Sequence, residues 1–285
     1  MAGLVINVPY GGLEIPPAVQ KRLPLSADDL RGEHWRLCDP HLLSIFQKAA
    51  QGDDKRGPWP LIHYPFSPLV ADPLGLLAQE LDQTRELGPF VLTKTTTGRE
   101  LPQWSEKDRL FLLEKTTVPY AAELKRQCLA ELEGQNLLAL ITVRSFSSEP
   151  QAFERDRRFP RPQISLGSSD AHTPEGLAEL AGHVFRSLGF WPQLNWPASG
   201  AAVPLELAGQ PRLKALGLAL RRDLYLDEKT GRLKESLEAV VRVMRTFLNL
   251  LSQELDRVAE VKLRRAFRTK KASNVIKADR PTAEA

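Results

Sequence analysis

Arg144 directly follows an apolar, strand-like run at residues 137–143, and Arg221 and Arg222 directly follow another at 216–220. Guanidinium groups at strand ends make charge-assisted, often bidentate hydrogen bonds, so this placement suits a carboxylate or a phosphate. Tyr10, Lys94, Ser145 and Tyr225 are candidate neighbours in the same pocket. Tyr10 closes a third run, residues 4–8, that breaks into Pro9 and then the pair Gly11-Gly12. A strand end followed by glycines lets the backbone approach a ligand closely, and in open α/β sheets chemistry gathers at that edge. A structural reading competes for the arginine pair: Arg221 and Arg222 alternate around the strand, one solvated and one paired with Asp223 or Asp227.

Other chemistries find less support. No two histidines have the i, i+4 spacing of a helical metal motif; His34 and His41 are seven apart, and His63, His172 and His183 stand alone. Ser145 lacks a Gly-x-Ser-x-Gly elbow, and there is no phosphate loop or dinucleotide glycine pattern. The two cysteines, Cys38 and Cys128, are far apart and read as buried thiols in a reducing compartment.

The elements that must position these residues alternate in type. Strand-like runs occur at 4–8, 61–64, 90–93, 137–143, 164–166 and 216–220. Helical spacing occurs at 40–50, 107–113, 119–132, 174–188 and 233–255. The alternation predicts an α/β single domain whose central sheet, mostly parallel or mixed, is flanked by helices. Thr173 before Pro174 and Glu175 predicts a helix N-cap. The last helix should bury Leu237, Val240, Val241, Met244, Phe247, Leu248 and Leu251 as a core stripe. Residues 149–161, with Arg155, Arg157, Arg158 and Arg161 beside Glu154 and Asp156, read as a solvated loop that could cover the sheet's C-terminal edge.

With 285 residues and 42% apolar composition the chain can bury one substantial core. Its formal charge of +4 is unevenly placed: residues 257–285 carry nine Lys or Arg against three acids, which leaves residues 1–256 slightly acidic. We therefore divide the chain into a domain, 1–256, and a basic tail, 257–285, that continues the last helix and frays into coil from Ser273. A solvated extension is the plain meaning of that tail; docking to nucleic acid or to an acidic partner is the alternative. No run is long enough to span a bilayer and no signal core precedes the first strand, so no membrane partner and a cytoplasmic location are expected.

Several segments, in the same order, resemble the N-formylglutamate amidohydrolase family. Pro9-Tyr10-Gly11-Gly12 with Ile15-Pro16 is similar to that family's Pro-His-Gly-Gly and Ile-Pro, and Cys38-Asp39-Pro40-His41 to its Asp-x-His helix head. Leu69-Val70-Ala71-Asp72 resembles a Val-Val-Asp strand end, and residues 90–101 a threonine-rich stretch containing Gly98. Val118-Pro119-Tyr120 stands for Pro-Tyr-His, Thr142-Val143-Arg144-Ser145-Phe146 for Asp-x-His-Ser-Phe, and Asn195-Trp196-Pro197-Ala198-Ser199-Gly200 for Asn-x-Pro-Tyr-Ser-Gly. Residues 216–227 resemble a late strand bearing a glutamate and Arg-x-Leu-Tyr-Met-Asp.

The resemblance implies a zinc-exopeptidase/amidohydrolase-like α/β fold, a metal-activated water, and arginines that hold a dicarboxylate. At the positions implied to supply the metal site this chain has Tyr10, Ala121, Thr142, Arg144 and Ala219, which removes three imidazoles and two carboxylates. A permanent cation at Arg144 opposes Zn²⁺ by Coulomb repulsion, so no metal and no cofactor are expected. His41 near Asp39 is either a retained member of the old pocket or a residue packed at a helix start. Three expectations follow. The chain binds a small anionic or amino-acid-like molecule through Tyr10, Gly11, Gly12, Lys94, Arg144, Ser145, Arg221, Arg222 and Tyr225, with the metal chemistry lost. Alternatively it hydrolyses an amide with Asp39, His41 and Asp72, or its tail makes the functional contact.

Overall fold

In the computed structural model, which describes residues 2–75, 77, 91–154 and 156–278, with 258–278 as helix backbone, six strands form one sheet in the order β2-β1-β3-β6-β4-β5. The strands are β1 (Ala2–Val8), β2 (Leu61–His63), β3 (Leu137–Phe146), β4 (Ile164–Gly167), β5 (Pro192–Leu194) and β6 (Leu213–Arg221). β2, β1, β3 and β6 run parallel, β4 is antiparallel to β6, and β5 is parallel to β4, so the sheet is mixed. β1, β3 and β6 are continuous apolar runs because helices and loops cover both of their faces.

The helices are α1 (Pro17–Gln20), α2 (Ala27–Leu37), α3 (Pro40–Ala49), α4 (Glu106–Lys115), α5 (Thr117–Gly134), α6 (Glu175–Ser187) and α7 (Leu237–Ala278). On one face α3, α6 and α7 bury Phe46, Phe185 and Phe247 against Ile6, Ile141 and Leu218. Phe185 and Phe247 stack with their ring centroids 4.5 Å apart. The expected stripe of α7 is buried from Val240 to Leu251. On the other face α5 packs Leu124, Cys128 and Leu132 against Val5, Leu138 and Leu140. Among the described residues no helix is long and apolar enough to cross a membrane.

The structure departs from the sequence reading in several places. Residues 91–93 form no strand; Val91 and Leu92 are buried beside a loop in which Lys94 bridges Glu100, and Phe90 lies outside the described residues. α2 and β5 were not foreseen. α2 opens on a capping box in which Ser26 accepts from the Asp29 backbone and Asp29 accepts in return. Thr173 caps nothing: its hydroxyl accepts from Ser169 N at 2.9 Å and donates to Ala215 O at 2.6 Å, and Pro174 holds the cap position of α6. α7 starts at Leu237 and continues to Ala278 rather than fraying at Ser273. Within 149–161, Arg157 and Arg158 are exposed as expected, but Arg161 is only 1% exposed and pairs with Glu154; Arg155 lies outside the described residues.

Candidate functional site

The parallel strands deliver Tyr10, Arg144, Ser145 and Arg222 to one end of the sheet, as the sequence reading required. In-register pairing sets Asn7 beside Thr142, Thr142 beside Gly217, and Arg144 beside Ala219, so these positions share one face. The loop at 196–203 lies across that face. Its carbonyls take up the polar groups beneath: Arg144 donates to Ser199 O and, at 3.5 Å, to Gly200 O; Thr142 Oγ1 donates to Ala202 O at 3.4 Å; Ser165 Oγ donates to Ala198 O at 2.7 Å. A Cβ on Gly167 or Gly217 would come within 2.1 or 2.3 Å of Gly200 O, so only glycines let the loop lie this close. Deeper on the same face, Asn7 Nδ2 donates to Thr142 Oγ1 at 3.3 Å and the Tyr120 hydroxyl donates to Asn7 Oδ1. Burial pushes the Tyr120 phenol well above its ordinary pKa, which keeps it a donor.

Beside this face, α2 ends and α3 begins at a buried ionic junction. Asp39 is the N-cap of α3: Oδ1 accepts from Leu42 N at 2.9 Å, and Oδ2 accepts from the Tyr225 hydroxyl at 2.5 Å. Arg222, in the 3-10 turn Arg222–Leu224 after β6, lies with Nε 3.7 Å from Asp39 Oδ2. The same guanidinium donates to Trp35 O, Arg36 O and Cys38 O at 2.6, 3.3 and 3.5 Å and to Ser145 Oγ at 3.0 Å. It therefore caps the carbonyl end of α2, where a cation is favoured by the helix dipole. Burial first, and the Asp39 carboxylate second, hold the Tyr225 phenol well above its ordinary pKa.

Tyr10 joins the two parts. Its hydroxyl donates to Asp72 Oδ1 at 2.9 Å and its carbonyl accepts from Asp39 N at 2.8 Å, while Asp72 Oδ1 also accepts from Leu74 N at 3.0 Å. Between these groups opens a narrow cleft of about 50 Å³ lined by Tyr10, Arg36, Arg144, Ser145, Glu154 and Arg222, among others. Arg36 went unnoticed in the sequence because it sits on α2. Its NH2 group pairs with the buried Glu33 carboxylate at 2.6 Å, and Glu33 in turn accepts from Thr96 N at 2.8 Å and from the Thr96 hydroxyl.

The remaining candidate residues lie elsewhere. Arg221 binds Asp223 through Nε and NH2 at 2.7 and 3.1 Å, and reaches Arg161 O at 2.5 Å. The structural reading of the arginine pair thus holds for Arg221, although neither arginine is the solvated one, since Arg222 is buried on Asp39. Lys94 is half-exposed and pairs with Glu100 at 3.1 Å. The glycine pair serves backbone packing: a Cβ on Gly12 would sit 2.1 Å from Pro65 O, and one on Gly11 2.9 Å from Leu43 Cβ. His41 lines a separate apolar cavity of about 320 Å³ with Leu13, Trp35 and Leu226, which shares Arg222 with the cleft. Ala121 lines an outer groove of α5 with Leu205, away from the cleft; the neighbouring Tyr120 reaches the sheet instead.

The donor set does not fit zinc. Tyr10 is committed to Asp72, Thr142 to the covering loop, Ala219 offers no donor, and Arg144 is a cation. Among the described residues no three His, Cys, Asp or Glu side chains converge as metal ligands. Fold and cleft together define an α/β protein whose polar groups gather at the C-terminal ends of its parallel strands. The family model for N-formylglutamate amidohydrolase matches residues 2–226, and the chain belongs to that family. Its fold is similar to the crystal structure of N-formylglutamate amidohydrolase from Ralstonia eutropha JMP134, with a TM-score of 0.67 at 19% identity over 92% of this chain and 94% of that one. It is also similar to the crystal structure of gene product Atu2144 from Agrobacterium tumefaciens, with a TM-score of 0.66 at 16% identity over 89% and 91% of the two chains. No curated protein sequence matches the chain.

Proposed function

We propose that this member of the N-formylglutamate amidohydrolase family holds a small anionic or amino-acid-like molecule in the strand-end cleft and does not hydrolyse it by zinc chemistry. The observation that carries this reading is Arg144, a buried permanent cation standing on the sheet face at the cleft. A cation at that place repels Zn²⁺ and attracts a carboxylate, and the same charge cannot favour both. Arg222 and Arg36 add positive charge to the lining, each beside its own carboxylate, and the Ser145 hydroxyl, which accepts from Arg222, can donate a hydrogen bond. Glu154 stands on the other side of the cleft, where Arg161 already pairs with it.

Calorimetric titration of the full chain with glutamate, N-formylglutamate and succinate tests the reading, with formate release measured in parallel. Saturable binding without formate release is expected, and Arg144→Gln should weaken it by about tenfold or more, the worth of one hydrogen bond to a charged group. Turnover of N-formylglutamate, or binding indifferent to Arg144→Gln in a folded variant, would overturn the reading.

A further inference from the structure

Residues 147–154 form one wall of the strand-end cleft, to which they supply Ser147, Gln151, Phe153 and Glu154. The cleft measures about 50 Å³. One water needs about 10–15 Å³ of such space, so the cleft holds roughly three or four waters and no glutamate or succinate. A wall must move to admit either. The other walls are fixed: Arg222 holds the end of α2 through Trp35 O and Arg36 O, and Arg144 and Ser145 belong to β3. Ala198 is bound to Ser165 Oγ through both its carbonyl, at 2.7 Å, and its N–H, at 3.3 Å.

The 147–154 wall is built differently. It contributes no helix and no strand of the sheet, and several of its hydrogen bonds are internal. Ser147 Oγ donates to Glu149 O at 2.7 Å, Gln151 Nε2 donates to Ser147 Oγ at 2.9 Å, and Glu154 N donates to Gln151 O at 3.0 Å. Bonds of this kind travel with a segment that moves as a body. Arg161, 1% exposed, holds both ends, donating to Ser147 O at 3.2 Å and pairing with the Glu154 carboxylate. Between the ends, Ser148 N donates to the two Glu228 carboxylate oxygens at 3.1 and 3.0 Å, and the Ser148 hydroxyl donates to the same carboxylate. Arg157, which donates to Ala152 O at 2.6 Å, is exposed and gives way easily.

We infer that residues 147–154 are a gate, which swings about its two ends on Arg161, releases Ser148 from Glu228, and carries Gln151 and Phe153 out of the cleft to admit the ligand. The inference rests on the anion-binding reading of the cleft, and it adds the latch, Glu228, which lies outside the lining. Gating loops of this kind open and close without unfolding the scaffold that bears them.

Chymotrypsin cleavage after Phe153, which is half-buried, reads the gate without any ligand, since proteolysis of an opened loop tracks the open population. Glu228→Ala should speed cleavage by about tenfold or more, the worth of one hydrogen bond to a charged group, with the thermal midpoint nearly unchanged. Ser148→Ala keeps the backbone bonds and should give a smaller rise, a milder variant that still decides the matter if Glu228→Ala folds poorly. Stopped-flow tryptophan fluorescence with glutamate, N-formylglutamate and succinate should show faster association in Glu228→Ala than in the parent. Cleavage equal to the parent's in both variants, or faster cleavage with unchanged association, overturns the gate. A parent that binds none of the three molecules overturns the anion-binding reading instead, and the cleavage rates then decide alone whether Glu228 latches the segment.

Discussion

Replacing Asp39 by alanine should destabilise the protein by about 3–4 kcal/mol, and the value follows from what its carboxylate holds. One oxygen caps α3 through Leu42 N, and a lost N-cap costs about 1 kcal/mol. The other faces the Tyr225 hydroxyl and the buried Arg222 guanidinium. Breaking a buried ion pair by removing one partner typically costs about 3–5 kcal/mol, because the remaining charge is left without its counterion. Arg222 keeps its bonds to the Trp35, Arg36 and Cys38 carbonyls and to Ser145, which places the loss at the lower end of that range. Asp39→Asn keeps one oxygen to accept from Leu42 N but sets an amide NH2 group where the other oxygen accepted from Tyr225 and faced Arg222, so the cap survives and a smaller loss, about 2–3 kcal/mol, is expected. Urea unfolding followed by circular dichroism reads both values, and the thermal midpoint should fall by about 2 °C or slightly more for each kcal/mol lost. An Asp39→Ala variant within about 1 kcal/mol of the parent, or one no weaker than Asp39→Asn, would refute the clamp.

Three further outcomes are expected. Gly217→Ala places a Cβ 2.3 Å from Gly200 O, so the loop at 196–203 must lift; a loss of about 1–3 kcal/mol and new proteolytic cleavage within the loop should follow. Burial first, and Glu131 second, push the Cys128 thiol up to about 12, and Cys38 is buried as well; neither should react with a disulfide reagent near about pH 8 until denaturant is added. Desolvation lowers the His34 pKa from the ordinary 6.5, outweighing the nearby Glu33 carboxylate. Below about pH 6.5 the unfolded chain therefore takes up a proton that the folded one resists, and stability falls as the pH drops. His34→Gln should flatten that fall in urea midpoints measured at about pH 7.5 and 5.5, and an unchanged slope would count against it.

The parts of the fold legible in the sequence were those whose burial leaves a pattern. β1, β3 and β6 read as unbroken apolar runs because both faces are covered, and α7 as a stripe because one side meets the sheet and α3. Tyr10, Arg144, Ser145 and Arg222 could be placed at one cleft because parallel strands carry their ends to one edge. α2 was missed because within it only Glu33 and Leu37 are buried, although Ser26 and Asp29 stood in capping-box spacing; Arg36 was missed with it. β5 is three residues long and carries little periodicity. The burial of Arg161 depends on Glu154 and the Ser147 carbonyl, contacts that a run of charges does not announce. The inward residue at the head of α5 is Tyr120 rather than Ala121, a one-residue offset that turns a side chain by roughly a third of a helical turn.

The central proposal is that the strand-end cleft holds a fixed cation, Arg144, and no zinc. Its most direct test is the zinc content, by mass spectrometry, of the full chain purified without chelators from zinc-supplemented cells. The account predicts far less than one zinc per chain, unchanged in Arg144→Gln; one tightly bound zinc per chain that resists dialysis would contradict it.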